Sequence, residues 1–384
     1  IKVYYKKKIY KRDIMKVPMF DLKIKNKNFK KEIFTKFNNF LDQGYFFMGN
    51  SVLEFEKITK KFLKAKYTLG VSSGSSAIYL ALKSQGIKKG DEVITTPLTW
   101  IIPVNAIAAC GATPVFADVD DNFNIDPNSI ISKITKKTKA ILPMHFAGKL
   151  CDMDLISKIA KKYKLKIIED CAQSYYAKIN GKNAGSFSNS AGFSMNPMKP
   201  FGGVGEAGLI TTNNYKTYLL LKKLRHAGTS SDPSKKITNN CISVSLNHKI
   251  DEINAFMLVL MHKNLKQKIN RCNQIANLYK KELDEKILHQ VINKNEIHGR
   301  YVYPIICKKR NKLMNFLKSN NIETKIFNQP LCYDAPVYKK FKKEKLNNAE
   351  RLMKNHLIIP CHENLSNSQV LYVIEKINKF YKFS

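Results

Sequence analysis

Between about residues 67 and 210, short runs of apolar and β-branched residues alternate with longer stretches of helical periodicity. Tyr67–Val71 predicts a strand, and Ser75–Gln85 predicts a helix that ends before Gly86. The further predicted elements are the strand Glu92–Thr96, the helix Ile101–Cys110, the strands Val115–Asp118 and Ala140–His145, the helix Asp154–Tyr163, and the strands Lys166–Glu169, Ala191–Met195 and Gly208–Thr212. This alternation predicts an α/β domain around a mixed, mostly parallel sheet.

The pattern changes after Asp251, where long helical sequence with few helix breakers extends to Leu288. The elements predicted beyond it are a short strand (Tyr301–Cys307), a helix (Lys312–Asn320), a loop with two prolines and an amphipathic C-terminal helix from Ser368. We therefore expect a large α/β domain over residues 15–250 and a smaller α+β domain over residues 251–384.

Two segments resemble targeting or membrane sequences at first sight. Residues 1–14 are basic and rich in tyrosine, without the apolar run of a secretory signal. Because Met15 opens a segment that reads like a natural start, we expect residues 1–14 to be an upstream extension. Residues 93–117 contain no charged side chain, but prolines and a glycine interrupt them. This favours a strand–helix–strand passage over a membrane span, so no membrane partner is expected.

The charge of the chain is strongly positive, with 66 Lys and Arg against 30 Asp and Glu and a formal net charge of +36. Such an excess makes nucleic acid, a membrane surface or a phosphorylated substrate a candidate partner. The lysines are spread from end to end and form neither a helical stripe interleaved with aromatics nor a long tail. A general drift to lysine is therefore favoured over a dedicated polyanion surface.

The eight cysteines are scattered singly, with no C-x-x-C pair and no iron–sulfur spacing. This spacing argues against the common cysteine metal sites, and we expect no bound metal. Single thiols in a chain of this length fit a reducing compartment, so a cytoplasmic location is expected.

The first motif with chemical potential is Val71-Ser-Ser-Gly-Ser-Ser-Ala-Ile, where a predicted strand turns through glycine into a helix. We expect the backbone N–H groups of Gly74, Ser75 and Ser76 to converge there with the positive end of the helix dipole, which makes an anion site. An ordinary glycine-containing turn is the alternative.

The second motif is Ile167-Ile-Glu-Asp-Cys-Ala-Gln, an apolar strand that ends in two carboxylates. A carboxylate at the carboxyl end of a parallel strand lies where α/β proteins bind ligands. A surface Glu-Asp pair that caps the next segment is the alternative.

The third motif, from Gly192 to Gly208, has a single lysine before a glycine-rich stretch. Lys199 and Glu206 are its only charged residues, although the chain as a whole is very rich in lysine. A lysine among apolar groups and glycines can have a lowered pKa, which Schiff-base chemistry requires. An ordinary surface-loop lysine is the alternative.

In order and spacing, the three motifs resemble those of the DegT/DnrJ/EryC1/StrS aminotransferases, from about Val17 to the C-terminus. Further matching features are Gly49 with Phe55-Glu56, Gly90-Asp-Glu-Val-Ile, Asp118-Val-Asp, His145 with Gly148 and Cys151-Asp-Met-Asp, Arg225-His-Ala-Gly, Asn247 and Pro360. The resemblance implies a fold-type I, aspartate aminotransferase-like enzyme that depends on pyridoxal 5'-phosphate (PLP). It also implies a homodimer with shared active sites.

The resemblance further implies a role for each motif residue. Lys199 would carry PLP as a Schiff base and move the proton in catalysis, and Asp170 would bind the pyridine nitrogen. Gln173 would lie near the phenolic oxygen, and Trp100, the only tryptophan, would stack on the ring rather than serve as a core aromatic. The phosphate would be held by Gly74, Ser75 and Ser194, and by Asn247 of the neighbouring subunit.

The chain departs from the family pattern near the expected acceptor pocket, where Lys249 replaces a typical arginine and Cys332 a frequent histidine. We expect an aminotransferase that moves an amino group from an amino acid, by analogy glutamate, to a keto-sugar, in our interpretation a nucleotide-linked one. A PLP-dependent sugar dehydratase is an alternative, although such enzymes typically have histidine in place of Lys199. Another is a transaminase of a smaller phosphorylated ketone.

A regulatory or nucleic-acid-binding protein is the alternative from a different functional class. The net charge of +36 is the feature that raises it. No helix-turn-helix and no aromatic RNA platform is recognisable in the sequence, so we expect no nucleic-acid partner.

Overall fold

The computed structural model describes residues 15–229 and 240–382, so the expected extension over residues 1–14 lies outside the described residues. The helices are α1 (Lys27–Gln43), α2 (Asn50–Leu63), α3 (Gly74–Ser84), α4 (Ile101–Ala109), α5 (Pro127–Ser132), α6 (Met153–Lys162), α7 (Tyr215–Arg225), α8 (Glu252–His262), α9 (Leu265–Glu282), α10 (Arg310–Ser319), α11 (Asn347–Asn355) and α12 (Asn367–Lys382). The strands are β1 (Tyr67–Val71), β2 (Glu92–Thr95), β3 (Thr113–Phe116), β4 (Thr138–Ile141), β5 (Lys166–Asp170), β6 (Lys178–Ile179), β7 (Lys182–Asn183), β8 (Ser190–Ser194), β9 (Gly208–Thr212), β10 (Leu288–His289), β11 (Glu296–Ile297), β12 (Tyr303–Ile306) and β13 (His356–Ile359).

The main sheet has seven strands in the order β1-β9-β8-β5-β4-β2-β3. β9 runs antiparallel to both of its neighbours, β1 and β8, and all other neighbouring strands are parallel. The expected α/β fold with a mixed, mostly parallel sheet is therefore confirmed. Apolar side chains of the sheet and of the helices around it, such as Ile78 of α3 and Ile168 of β5, form its buried core.

One strand ends earlier than its apolar run predicted. Ala140–His145 was expected as a single strand, but β4 ends at Ile141. Pro143 follows two residues later, and proline has no N–H to donate to a sheet ladder. The chain still continues beside β5, because Met144 and Asp170 form an isolated parallel bridge.

The long helical stretch after Asp251 consists of two helices. Asp251 caps α8 by accepting a hydrogen bond from the Asn254 N–H at 2.7 Å. The N–H of Lys263 donates to the carbonyl of Leu260, and that of Asn264 to the carbonyl of Met261, which is the tighter pattern of a helix end. The turn at these two residues separates α8 from α9.

A smaller three-stranded antiparallel sheet, β10-β12-β13, lies in the C-terminal part of the chain. Its core contains apolar residues of α9, α10 and α12, and Val17 from the other end of the chain packs into it. Conversely, Ala255 and Leu258 of α8 pack into a cluster with Phe55 of α2. Val17 and α8 thus each pack against residues on the other side of the domain boundary expected between residues 250 and 251. That boundary stays a prediction.

Over the described residues, no helix is long and apolar enough to cross a membrane.

Candidate active site

The expected site residues come from chain segments that meet at one edge of the main sheet. Asp170 is the last residue of β5, and Ser194 is the last residue of the neighbouring parallel strand β8. Gly74 begins α3 just after β1, whose carboxyl end lies at the same edge because β9 runs antiparallel to both β1 and β8. Ligands of open α/β sheets bind at this edge.

Gly74 approaches Ser194 very closely. A β-carbon added to Gly74 would lie 2.6 Å from the Cβ atom of Ser194, so any larger residue would push the two segments apart. Ser73 caps α3 by accepting a hydrogen bond from the Ser76 N–H at 3.1 Å. The first N–H groups of a helix have no acceptor inside it, so those of Gly74 and Ser75 can bind an anion at the positive end of the dipole.

Ser76 does not offer its backbone N–H to this anion site, contrary to the prediction. That N–H is used by the cap residue Ser73. The hydroxyl of Ser76 is also engaged, at 2.9 Å from Nδ1 of His248. Two backbone donors and the Ser194 hydroxyl therefore remain for an anion.

Asp170 is buried, with 4% of its surface exposed, and its carboxylate accepts a hydrogen bond from the Ala172 N–H at 3.0 Å. Burial raises the pKa of Asp170, while the Ala172 N–H and the positive charge of Lys199 lower it. An ionised carboxylate in such a place is stabilised by a cation, and a protonated ring nitrogen is one.

A hydrogen-bond network lies directly behind Asp170. The N–H of Cys151 donates to Nδ1 of His145 at 3.1 Å, so Nε2 is the nitrogen that carries the proton, and it lies 3.0 Å from Glu169. Glu169 also accepts hydrogen bonds from the N–H groups of Gly185 and Phe187, each at 3.0 Å. Both ring nitrogens of His145 are thereby used, so this cluster holds β5 in place.

Lys199 lies in the loop after β8, and its amino nitrogen is 4.2 Å from the centroid of the Tyr301 ring. Burial lowers the pKa of Lys199 to about 8, although the negative charges of Asp170 and Glu206 raise it. An amine with such a pKa is partly neutral near physiological pH, as a nucleophilic lysine must be. The main chain is held as well, because Nζ of Lys268 donates to the Lys199 carbonyl at 3.3 Å.

Gln173 is buried, and its Oε1 atom accepts a hydrogen bond from the Ala147 N–H at 2.7 Å. Ala147 lies in a tight turn, Phe146–Gly148, in which its own φ is 58° and that of Gly148 is 101°. The turn therefore fixes the side-chain amide of Gln173.

Trp100 precedes α4 and has 61% of its surface exposed, so its ring is available to a ligand. The thiol of Cys332 contacts the carbonyl oxygens of Thr99 at 3.2 Å and of Trp100 at 3.9 Å. Cys332 thus ties the C-terminal part of the chain to the segment that presents the tryptophan.

Asn247 lies apart from the buried residues of the site. It is exposed, forms a bridge with His226, and accepts a hydrogen bond from the Lys249 N–H at 3.3 Å through Oδ1. Its expected contact with the phosphate of a neighbouring subunit stays a prediction.

Two parts of this site were not expected from the sequence, namely the partnership of Tyr301 with Lys199 and the His145–Glu169 pair. The resemblance marked His145 and Glu169 as matching residues, which was a usable signal, but Tyr301 carried none. Its contact with Lys199 joins segments about 100 positions apart.

The donor set fits PLP. An anion site of backbone N–H groups and a serine hydroxyl suits a phosphate, a buried carboxylate suits a protonated ring nitrogen, and an amine of lowered pKa suits an aldehyde. These groups are provided by Gly74, Ser75 and Ser194, by Asp170, and by Lys199.

Comparisons with known proteins agree with this chemistry. The sequence model of the DegT/DnrJ/EryC1/StrS aminotransferase family matches residues 27–378. The chain is 34% identical over 375 residues to the pleiotropic regulatory protein of Geobacillus stearothermophilus, covering 96% of this chain and 99% of that protein. It is also 34% identical over 366 residues to the dTDP-3-amino-3,6-dideoxy-alpha-D-galactopyranose transaminase of Aneurinibacillus thermoaerophilus, covering 95% of this chain and 99% of that protein.

The fold is also similar to a solved structure, that of NtdA from Bacillus subtilis with bound cofactor PMP. The TM-score is 0.89 at 27% identity, and the match covers 97% of this chain and 86% of that chain. The chain therefore belongs to the DegT/DnrJ/EryC1/StrS family, and it is a PLP-dependent aminotransferase of fold type I.

Proposed function

We propose that this aminotransferase moves an amino group from glutamate to a ketone on a nucleotide-linked deoxysugar, in amino-sugar or surface-polysaccharide biosynthesis. The observation that carries this proposal is the similarity to a transaminase named for a dTDP-linked amino-sugar, which extends over 95% of this chain.

In this proposal Lys199 is the acid–base residue and Asp170 its electrostatic partner across the site. PLP, when bound, supplies the electron sink that lets a proton leave and return at the carbon that carries nitrogen. An amino group with a pKa of about 8 can both accept and donate that proton near neutral pH. The Asp170 carboxylate, at the end of β5, would pair with the ring nitrogen of bound PLP and keep that nitrogen protonated.

The other expected contacts are proposed on the geometry of the same edge. Gly74 and Ser75 present N–H groups to the phosphate, and Ser194 presents its hydroxyl from β8. Gln173, whose side chain the Ala147 N–H fixes, would lie near the phenolic oxygen. Trp100 has an exposed ring that would stack on the cofactor.

A homodimer with shared active sites is proposed because large apolar side chains stand exposed near Asn247. Val244 and Leu246 are 83% and 70% exposed, and Phe47 is 65% exposed. Nζ of Lys249 lies 5.2 Å from the centroid of the Phe47 ring, so these two segments form one surface. An exposed apolar surface of this kind marks a protein contact, and a second copy would bury it and bring Asn247 to the neighbouring site.

A cytoplasmic location is proposed from cysteine chemistry. All eight cysteines lie within the described residues and are free thiols, and six of them are buried. Buried free thiols in a chain of this length are typical of a reducing compartment.

The test is a spectral and product assay on the whole protein. Protein loaded with PLP should show the visible absorbance band of a lysine-bound cofactor, and glutamate should bleach it. Lys199→Ala should lack the band, whereas Lys266→Ala, which alters an exposed lysine of α9, should keep it. Glutamate-treated protein should then aminate a dTDP-, GDP- or UDP-linked keto-sugar, with the product detected by mass spectrometry.

Each failure has a separate meaning. A native protein without the band contradicts the role of Lys199. A band without amination of any nucleotide-linked keto-sugar contradicts the proposed acceptor, and amination of a small phosphorylated ketone or loss of a sugar hydroxyl would establish one of the enzymatic alternatives. Retention on DNA that weakens with salt would support a regulatory role.

A further inference from the structure

We propose that Tyr301 is a positioning residue for Lys199, with its ring face favouring the protonated form of the Lys199 amino group and keeping that group in a fixed place. The proposal rests on the proposed role of Lys199 as the acid–base residue. Its basis is geometric, because the Lys199 amino nitrogen lies 4.2 Å from the centroid of the ring, within the range of a cation–π contact.

The ring is the direct partner of this amine in the part of the chain that the structure describes. No carboxylate among these residues forms an ion pair with Lys199, and Asp170 and Glu206 act on it through their charges without such a pair. An ammonium group that has lost its water needs compensation, and the electron-rich face of an aromatic ring provides it without adding a formal charge. The ring therefore favours the proton-carrying form of Lys199.

At physiological pH, the other charged and titratable groups near Lys199 and Tyr301 do not replace the ring as the direct partner of the Lys199 amino group. Asp170 of β5 and Glu206 of the loop after β8 are the acidic groups that act on Lys199. The amino group of Lys268 in α9 donates a hydrogen bond to the Lys199 carbonyl at 3.3 Å and forms an ion pair with Glu363 at 3.5 Å. Burial raises the pKa of Tyr301 to about 12, so its phenol stays neutral where Lys199 titrates.

Backbone hydrogen bonds and a side-chain contact both hold the Tyr301 ring in place. The N–H of Tyr301 donates to the Ala147 carbonyl at 3.0 Å, and the N–H of Gly299 donates to the Gly148 carbonyl at 2.8 Å. The Phe327 ring packs against Tyr301 with centroids 5.8 Å apart, and 9% of the Tyr301 surface is exposed.

The same turn fixes Gln173 through the Ala147 N–H. Gly148 makes this docking possible, because a β-carbon there would lie 2.7 Å from the backbone nitrogen of Arg300. One turn thus holds both residues, Gln173 through its side chain and Tyr301 through its backbone.

The experiment measures the ionisation of Lys199 in the cofactor-free protein, so that it depends on neither PLP nor a substrate. Competitive acetylation with acetic anhydride at a series of pH values, resolved by peptide mass spectrometry, gives the pH at which Lys199 becomes reactive. Tyr301→Phe keeps the ring, and Tyr301→Leu removes it while keeping an apolar side chain.

We expect native protein and Tyr301→Phe to share one midpoint. Tyr301→Leu should shift it down by about one pH unit, a roughly tenfold change in the protonation equilibrium. Loss of a favourable contact with the charged form lowers the pKa, which sets the direction. Tyr301→Met repeats the test should the leucine variant fail to fold. A midpoint that is unchanged or raised in both ring-free variants overturns the proposal.

Failure of the proposed function would look different. If Lys199 did not carry PLP, the native protein and Lys199→Ala would give the same spectrum with PLP, whatever the acetylation midpoints were. If the sugar acceptor were wrong, the midpoints would again be unaffected.

Discussion

Glu252 and Gly49 are 203 positions apart in the sequence, yet the Glu252 carboxylate accepts a hydrogen bond from the Gly49 N–H at 2.9 Å. The same carboxylate accepts from the N–H groups of Ser51 and Val52, at the start of α2. Gly49 precedes this helix and has no side chain to cap it. A buried acid of α8 therefore performs the capping that the local sequence lacks.

Glu252→Gln should destabilise the protein, because an amide accepts through one oxygen only and carries no charge towards the helix dipole. Glu252→Ala should have a larger effect, since it leaves one buried and two partly buried N–H groups without this partner. We expect a loss of about 1–3 kcal/mol for the alanine variant, measured as a shift of the urea unfolding midpoint. Glu285→Ala, at an exposed position, is the matched control. Equal midpoints for the two alanine variants would contradict the capping role.

Gly74→Ala should weaken PLP binding, because the new methyl group would meet the Cβ atom of Ser194 at 2.6 Å. Overpacking of this kind costs about 1–3 kcal/mol, which corresponds to a loss of affinity of roughly 5- to 150-fold if the strain falls on the bound state. Ser75→Ala should bind almost as well as native protein, because its backbone N–H is retained. Trp100 is the only tryptophan, so quenching of its fluorescence reports both affinities. An affinity of Gly74→Ala equal to that of Ser75→Ala would refute the close contact.

Lys199 should become reactive towards acetic anhydride with a midpoint near pH 8. The neutral amine is the reactive form, so below that midpoint reactivity should rise about tenfold per pH unit and then level off above it. Asp170→Asn should move the midpoint to lower pH, because the negative charge of Asp170 raises the pKa of Lys199. Asp154→Asn, an exposed acid of α6, should leave it in place. A midpoint in Asp170→Asn that is unchanged or higher would contradict this action of the Asp170 charge on Lys199.

The sequence predicts those strands, helices and motif residues whose positions depend on local sequence patterns. β1 and β9 coincide with the predicted ranges, because β-branched runs bounded by turns determine such strands locally. The resemblance supplied Lys199 and Asp170, whose positions depend on the ends of β8 and β5.

What the sequence did not indicate are contacts between distant segments. The capping of α2 by Glu252 and the placement of Tyr301 on Lys199 each join residues about 100 or more positions apart. Neither periodicity nor spacing indicates which distant side chain will contact the start of α2 or Lys199. The turn between α8 and α9 was also missed, because no proline or glycine marks it. Tertiary packing decides these features, and local propensity is too weak to reveal them.

Asn247 and Lys199 should complement each other between subunits if the active sites are shared. Lys199→Ala and Asn247→Ala homodimers should both be impaired, the second through weaker PLP binding. In a mixed dimer, one site combines Lys199 from one chain with Asn247 from the other, and it is intact; the second site has lost both residues. Random mixing makes half of the dimers mixed, so activity should return to about a quarter of the native value. Mixtures of Lys199→Ala with Asp170→Asn, both placed within one chain's own site, should recover nothing. Recovery in neither mixture, with subunit exchange confirmed by mass spectrometry, would place Asn247 outside the neighbouring site and leave Lys199 to act within a site built from a single chain.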